Sequence, residues 1–230
     1  MTNRYFIINK PYGMLSQFRK EAEQHRTLAE LYQFPKDVYP VGRLDRDSEG
    51  LLILTNDKRL NARLLRPEAG HWRTYWAQVE GMVSREALNQ LQTGVSFRVK
   101  KKAYRSLPAQ VSLIHQALAE KNQKELSPGR QRSDAISGQT ASNRFRPAGV
   151  QERNPPIRYR KSVADAWLEL QLREGKNRQV RKMCAAVGHP VLRLIRVAIG
   201  ELKLEHLAGE NVKEVEWDWL KSKIFSSNKT

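Results

Sequence analysis

The residues of this chain that could do chemistry gather in two short stretches. The first is Gly42-Arg43-Leu44-Asp45-Arg46-Asp47-Ser48-Glu49-Gly50, dense in charge and with a glycine at each end. Asp45 stands between Arg43 and Arg46, and two cations close to one carboxylate favour its ionised form. An ionised carboxylate suits a nucleophile or an electrostatic group and is wrong for a general acid. A purely structural ion-pair loop accounts for the same charges. The second stretch, Arg173-Glu174-Gly175-Lys176-Asn177-Arg178-Gln179-Val180-Arg181-Lys182, holds five cations in ten residues. A turn running into a helix start offers free N–H groups, and with guanidinium forks beside them it suits phosphate. Arg153, Arg158, Arg160 and Lys161 make a third basic patch.

Other chemistries lack their residues. There is no GxGxxG after a strand, no GxxxxGK[ST], no HExxH and no GxSxG. The five histidines are scattered without ligand spacing, so no metal site is expected. The single cysteine, Cys184, leaves no disulfide framework or cysteine-based zinc site. It falls on the apolar side of a predicted helix and reads as core filler.

The elements around these stretches must position them. Arg4–Asn9 reads as a strand, stopped by the turn Lys10-Pro11-Tyr12-Gly13. Thr27–Tyr32 reads as a short helix, with Thr27 as cap and Glu30 three residues on. The charged loop runs straight into Leu51–Thr55, an apolar strand, so a core strand holds the segment that carries Asp45. Asn56-Asp57 opens a helix over Lys58–Leu65, Arg73–Glu80 is a strand, and Ser84 caps a helix over Ser84–Leu91. Val95–Val99 and Leu107–Val111 are extended, and Ile114–Leu118 is read as a helical turn or two. Residues Asn122–Gln151 are too polar to repay their ordering entropy. Ala166–Leu172 alternates as a half-buried strand, Arg173–Asn177 is a turn, and Arg178–Val187 is a helix ended by Gly188. Val191–Ile195 and Gly200–Leu204 are strands. Many strands with scattered helices, lacking regular βαβ spacing, predict an α+β fold with a mainly antiparallel mixed sheet and flanking helices.

Composition narrows the partner. The chain has 230 residues, 40% of them hydrophobic, enough for a real core. Its 41 Lys and Arg against 24 Asp and Glu give +17, which asks for an anionic partner such as RNA, DNA or an acidic membrane. The longest aliphatic run, Leu51-Leu52-Ile53-Leu54, is far short of a membrane span, and the N-terminus has no signal core. A cytoplasmic protein without a membrane partner is expected. DNA binding would ask for a recognition helix or a dimeric layout, and neither is apparent.

Three blocks resemble the pseudouridine synthases of the RsuA family: Asn9-Lys10-Pro11-Tyr12-Gly13 with Ser16 behind it; Gly42 to Leu52, continuing to Thr55-Asn56-Asp57; and Glu174 to Met183, continuing through Gly188 to Leu192-Arg193-Leu194-Ile195-Arg196. The GRLDxDSxG pattern before a strand is highly specific. Within the family, Arg153-Asn154-Pro155-Pro156-Ile157-Arg158 before Arg160-Lys161-Ser162 resembles the E-type enzymes of the large ribosomal subunit. The resemblance implies the pseudouridine synthase catalytic fold over residues 1–220, with subdomains over about 1–65 and about 66–220 around a basic cleft. It leaves a polar, disordered insert at 113–150 and a flexible tail at 221–230. The chain begins at its first catalytic-domain strand, so no N-terminal S4 RNA-binding domain is expected.

The implied reaction is uridine to pseudouridine in 23S ribosomal RNA, in domain V near the peptidyl transferase centre, on free RNA or on a precursor of the large subunit. The base leaves C1′ through N1, turns, and rejoins through C5, so no cofactor is needed. The resemblance makes Asp45 the essential carboxylate, Tyr75 the aromatic that stacks on uracil, and Arg181 the cation paired with the carboxylate, with Lys176 and Arg178 competing for that role. Arg43 matches the arginine that fills the space left by the flipped base, and Leu194 or Ile195 packs below uracil. Lys10, Arg46, Arg73, Arg158, Lys176, Asn177, Arg178 and Lys182 are expected to hold RNA with Arg43. The family implies a monomer. The alternatives are a synthase for another ribosomal uridine, or a non-catalytic RNA-binding or ribosome-assembly protein on the same scaffold. Such a protein would have no need to keep Asp45 beside Arg43 and Tyr75.

Overall fold

A computed structural model describes residues 2–66, 70–117, 147, 149–157 and 163–225. In chain order the strands are β1 (Tyr5–Lys10), β2 (Met14–Leu15), β3 (Arg26–Thr27), β4 (Tyr39–Pro40), β5 (Glu49–Thr55), β6 (Arg73–Glu80), β7 (Ser96–Val99), β8 (Lys102–Arg105), β9 (Gln110–Ala117), β10 (Asp165–Leu172), β11 (Val191–Ile199), β12 (Leu202–Lys203) and β13 (Val212–Val215). The α-helices are α1 (Lys58–Leu65), α2 (Arg85–Thr93), α3 (Gln179–Ala186) and α4 (Trp217–Phe225). The sequence sets these locally. Asp57 caps α1 by accepting from the N–H groups of Arg59 and Leu60, and Ser84 caps α2 by accepting from Ala87.

One sheet runs through the molecule in the order β13-β1-β5-β11-β6-β10-β9, with β4 added on β5 and β12 on β11. All of its pairings are antiparallel except β5–β11. That parallel join matches Ile195 with Glu49 and Arg196 with Gly50. The fold is the expected α+β class with a mostly antiparallel sheet. Leu168, Leu170 and Leu172 of β10 pack with Leu91 of α2 and with Val180, Met183 and Cys184 of α3 on one face. Burial pushes the Cys184 thiol up to about 12, so it is inert core, as its helix position implies.

Several expectations fail for tertiary reasons. Thr27 does not cap a helix. It is extended, paired through β3 with β2, and only the 3-10 turn Leu28–Glu30 follows. Ile114 sits in β9, because pairing with β10 (His115 opposite Trp167) overrides the helical reading and carries the strand to Ala117, inside the expected insert. The remainder of that segment lies outside the described residues, apart from Pro147 and residues 149 and 150. The strand expected at Gly200–Leu204 shrinks to Leu202–Lys203 after a turn at Gly200.

The tail also differs. Residues 221–225 belong to α4, which buries Leu220 and Ile224 against Tyr5, Ile7, Leu51 and Ile53. Burying each is worth ~1.5–3 kcal/mol. Strand β13 and helix α4 therefore return to the β1–β5 end of the sheet. Among the described residues no helix is long and apolar enough to cross a membrane.

Candidate active site

The site is built on the loop between β4 and β5. Val41 N–H donates to Ile53 at 2.8 Å and Ser48 N–H to Asp45 C=O at 3.0 Å, closing the loop on itself. The first motif grips it from outside. Gly13 N–H donates to Arg46 C=O at 2.9 Å, and the Ser16 hydroxyl bonds the main chain of Leu44. Lys10 fixes this turn by donating to Pro11 C=O at 3.0 Å and Met14 C=O at 2.7 Å. Asp45 thus rises from a backbone held on both sides, with its side chain one-third exposed (33%).

A cleft of about 660 Å³ opens above it at the β5–β11 join. Asp45, Tyr75, Leu194, Arg73, Arg196 and Asn177 line it, and Arg43, Arg46, Lys176 and Arg178 form its cationic rim. Tyr75 lies opposite Arg196 in the β6–β11 register, so strand pairing sets that part of the wall. Arg73 donates to Leu64 C=O at 3.1 Å, and burial pushes its guanidinium down from its ordinary value.

The ion pairs differ from those expected. Arg43 turns toward Gln17 at 3.3 Å and Arg46 toward Gly13 C=O at 3.3 Å, so neither flanking arginine holds Asp45. Among the described residues the nearest cation is Arg178, at 4.0 Å. Arg181 pairs with Asp47 instead. Its Nε is 3.3 Å from the Asp47 carboxylate, outside hydrogen-bond geometry, and its Nη2 donates to Asp47 C=O at 2.6 Å. Arg178 forks onto the same carboxylate at 2.8 and 2.7 Å. Burial, the largest influence on Asp47, pushes its carboxyl up. The Arg178 hydrogen bonds and the charges of Arg181 and Arg178 outweigh it and hold the group below its ordinary value.

Other expected site residues move out. Lys10 is fully buried, its ammonium bound to the turn rather than facing the cleft. Burial lowers it to about 8. Ile195 faces the opposite side of the sheet with Trp167 and Val197, because neighbours on a strand alternate, which leaves Leu194 in the cleft. Lys182 bends back to Asn177 C=O at 2.8 Å and does not line the cleft. Arg158 lies outside the described residues.

Sequence reasoning misses two residues. Asp47 is legible as the second acid of the loop. Arg196 is 95% buried, donates through Nε to Leu51 C=O at 2.8 Å, and keeps Nη2 buried without a partner. Among the described residues no His, Cys, Asp and Glu cluster could hold a metal. The opposite face of the sheet has its own cleft, beside Trp72 and Trp76, whose lining includes Glu169, Glu201, Glu205 and Glu210. Of these two clefts, the one beside Asp45 is the cationic one.

Residues 4–186 match the RNA pseudouridylate synthase family. The chain belongs to this family. It is an RNA pseudouridine synthase, an isomerase. The chain is 45% identical over 203 residues to ribosomal large subunit pseudouridine synthase E of Xanthomonas axonopodis pv. citri, covering 88% of each. The enzyme of the same name from Vibrio parahaemolyticus is 39% identical over 217 residues, 94% of this chain and 76% of that one. A crystal structure of a pseudouridylate synthase superposes with a TM-score of 0.67, at 20% identity and over 97% of this chain and 74% of that one, and shows the shared synthase fold.

Proposed function

We propose that the chain isomerises a uridine of 23S ribosomal RNA to pseudouridine, at a site in domain V near the peptidyl transferase centre, with Asp45 as the catalytic carboxylate. The observation that carries the reading is Asp45 itself: a half-buried carboxylate on a loop fixed from both sides, beneath a cationic cleft walled by Tyr75 and Leu194. The names of the relatives from Xanthomonas and Vibrio support the large ribosomal subunit as the substrate's source.

In this reading the uridine leaves its stack, which costs a few kcal/mol, and enters the cleft while the rim cations hold the flanking phosphates. Tyr75 packs on one face of the uracil and Leu194 supports it from below. Asp45 attacks the ribose or the base, or stabilises the charge that develops as the N1–C1′ bond breaks. The uracil turns, C5 bonds to C1′, any bond made to Asp45 breaks to return the free carboxylate, the C5 proton leaves and N1 gains one. Composition is unchanged. Arg178 and Arg181 act through Asp47 to fix the loop, and Arg43 occupies the space that the base vacates.

The test is pseudouridine mapping by carbodiimide treatment and reverse-transcription stops. The samples are ribosomal RNA from cells lacking the gene, complemented with wild type or with Asp45→Asn. One stop in domain V should return with wild type and stay absent with the variant, at equal protein levels. Full rescue by Asp45→Asn would remove Asp45 from the chemistry. A stop lost elsewhere in ribosomal RNA would move the target and leave the reaction standing.

A further inference from the structure

Beyond the cleft, the β7–β8 hairpin carries Arg98, Lys100, Lys101, Lys102 and Arg105, with no acid between Ser96 and Arg105. All five are exposed, and among the described residues none makes an ion pair with a carboxylate. A lysine-rich face that is merely solvated carries acids among its bases. This one does not, so its self-repulsion is uncompensated.

The turn adds a second observation. Lys100 has φ +55°, in the left-handed region that glycine and asparagine take readily and lysine does not. A lysine stands where the backbone disfavours it, at the exposed turn of the hairpin.

The hairpin is rigidly based and continuous with the site. Phe97 packs in the core with Tyr104 and Val99 against it, and Ser106 ties back to Val95 through both its amide and its hydroxyl. Leu107 N–H donates to Glu174 at 2.8 Å, and the Lys176 ammonium sits 5.4 Å from the centre of the Tyr104 ring. Both Glu174 and Lys176 line the Asp45 cleft. From Tyr104 to the tip is three residues, about 10 Å of strand.

We propose that the β7–β8 hairpin is a second RNA-binding surface, a rigid finger whose lysine tip holds backbone phosphates of the strand running out of the Asp45 cleft. The inference rests on the reading that RNA fills that cleft. The contact is with phosphate and carries no sequence information, so it supplies affinity and register rather than choice of uridine.

The test compares wild type with the triple variant Lys100→Gln, Lys101→Gln, Lys102→Gln, by fluorescence anisotropy between 50 and 200 mM KCl, a range in which phosphate contacts read out strongly. The probes are a short RNA stem-loop, confined to the cleft, and one three times longer. On the long probe the variant should bind at least ~10-fold more weakly at the middle of that range, with a slope of log K against log salt shallower by about 2–3. On the short probe the two proteins should bind alike. Lys100→Asn separates charge from folding: its thermal midpoint should hold or rise, because asparagine tolerates the left-handed turn, while long-probe affinity falls.

Equal slopes on the long probe would overturn the proposal. So would an unchanged slope on bare RNA with weaker binding to a large-subunit precursor particle, which would make the finger a protein contact. The reaction is read separately by the mapping experiment. A wild type that leaves no pseudouridine in ribosomal RNA counts against the function and not against the hairpin's phosphate contacts.

Discussion

Ser16 and Leu44 hold each other twice. The Ser16 hydroxyl accepts from Leu44 N–H at 3.0 Å and donates to Leu44 C=O at 2.9 Å, fastening the residue before Asp45 to the turn of the first motif. Ser16 is buried, so no water replaces it. Ser16→Ala leaves both Leu44 groups unpaired, at a cost of ~1–3 kcal/mol. It also lets the Asp45 backbone shift. The expected outcome is a kcat lower by roughly 10–100-fold with KM little changed, since small misplacement of a catalytic group costs rate more than binding. Steady-state kinetics beside a urea unfolding curve checks both, and a KM effect alone would contradict the positioning role.

Much of this site is legible in the amino-acid sequence. The GRLD loop, the strand behind it and the basic turn before α3 follow from local signals: charge density, an apolar run, a Gly stop. What is not legible depends on register. Whether Arg181 meets Asp45 or Asp47 turns on how α3 lies against the loop, a contact between residues 134 positions apart. Leu194 and Ile195 are equivalent as apolar strand residues until the sheet fixes which face looks into the cleft. Helix α4 has a weak signal of its own, with Trp217, Leu220 and Ile224 spaced at i, i+3 and i+7, masked by the polar residues around them. Arg196 looks like one more surface cation, and only the parallel join of β5 and β11 makes it a buried member of the cleft.

The bracket on Asp47 predicts a pH signature. Its carboxyl lies below its ordinary value in the folded state, so its stabilisation is present above the unfolded value of about 3.9 and is lost as pH falls through the folded one. Asp47→Asn should be less stable than wild type at pH 7, and the gap should narrow as pH falls from about 5 toward 3. Because Arg178 and Arg181 lose the carboxylate charge they share, activity should fall even at pH 7. Denaturant midpoints of both proteins across this range test it. A gap independent of pH would mean that the Asp47 charge adds nothing.

Gly50 predicts a steep steric effect. It has φ +104°, and a Cβ there would run into the main chain of Arg196, both C=O and N–H. This is the close approach that the parallel β5–β11 bridge requires. Gly50→Ala must break that pairing or push the strands apart, at ~3 kcal/mol or more. Gly13 is the control. It has φ +78°, but a Cβ there meets nothing within 4 Å, so Gly13→Ala carries only the conformational cost of about 1–2 kcal/mol. Thermal melts should rank Gly50→Ala well below Gly13→Ala. The reverse order would mean that the join is not under steric control.

Lys10 predicts a second rise of stability with pH, in the alkaline range. Burial lowers its ammonium to about 8 from the ordinary 10.5, with Glu49, Asp47 and Asp45 partly resisting and Arg196 adding to the drop. Below pH 8 both folded and unfolded chains are protonated, and the burial cost is constant. Between about 8 and 10.4 the unfolded chain binds more protons, so stability rises with pH through that window. Between pH 7.5 and 9.5 the gain is on the order of 2 kcal/mol. Lys10→Met removes the titrating group and also the two carbonyl contacts that hold the turn under Asp45. Its stability should fall short of wild type by more at pH 9.5 than at pH 7.5, and its kcat should be reduced at both. Unfolding curves at the two pH values decide. A stability difference that stays constant would mean that Lys10 titrates with an ordinary value, reached by solvent rather than sealed beneath the Asp45 loop.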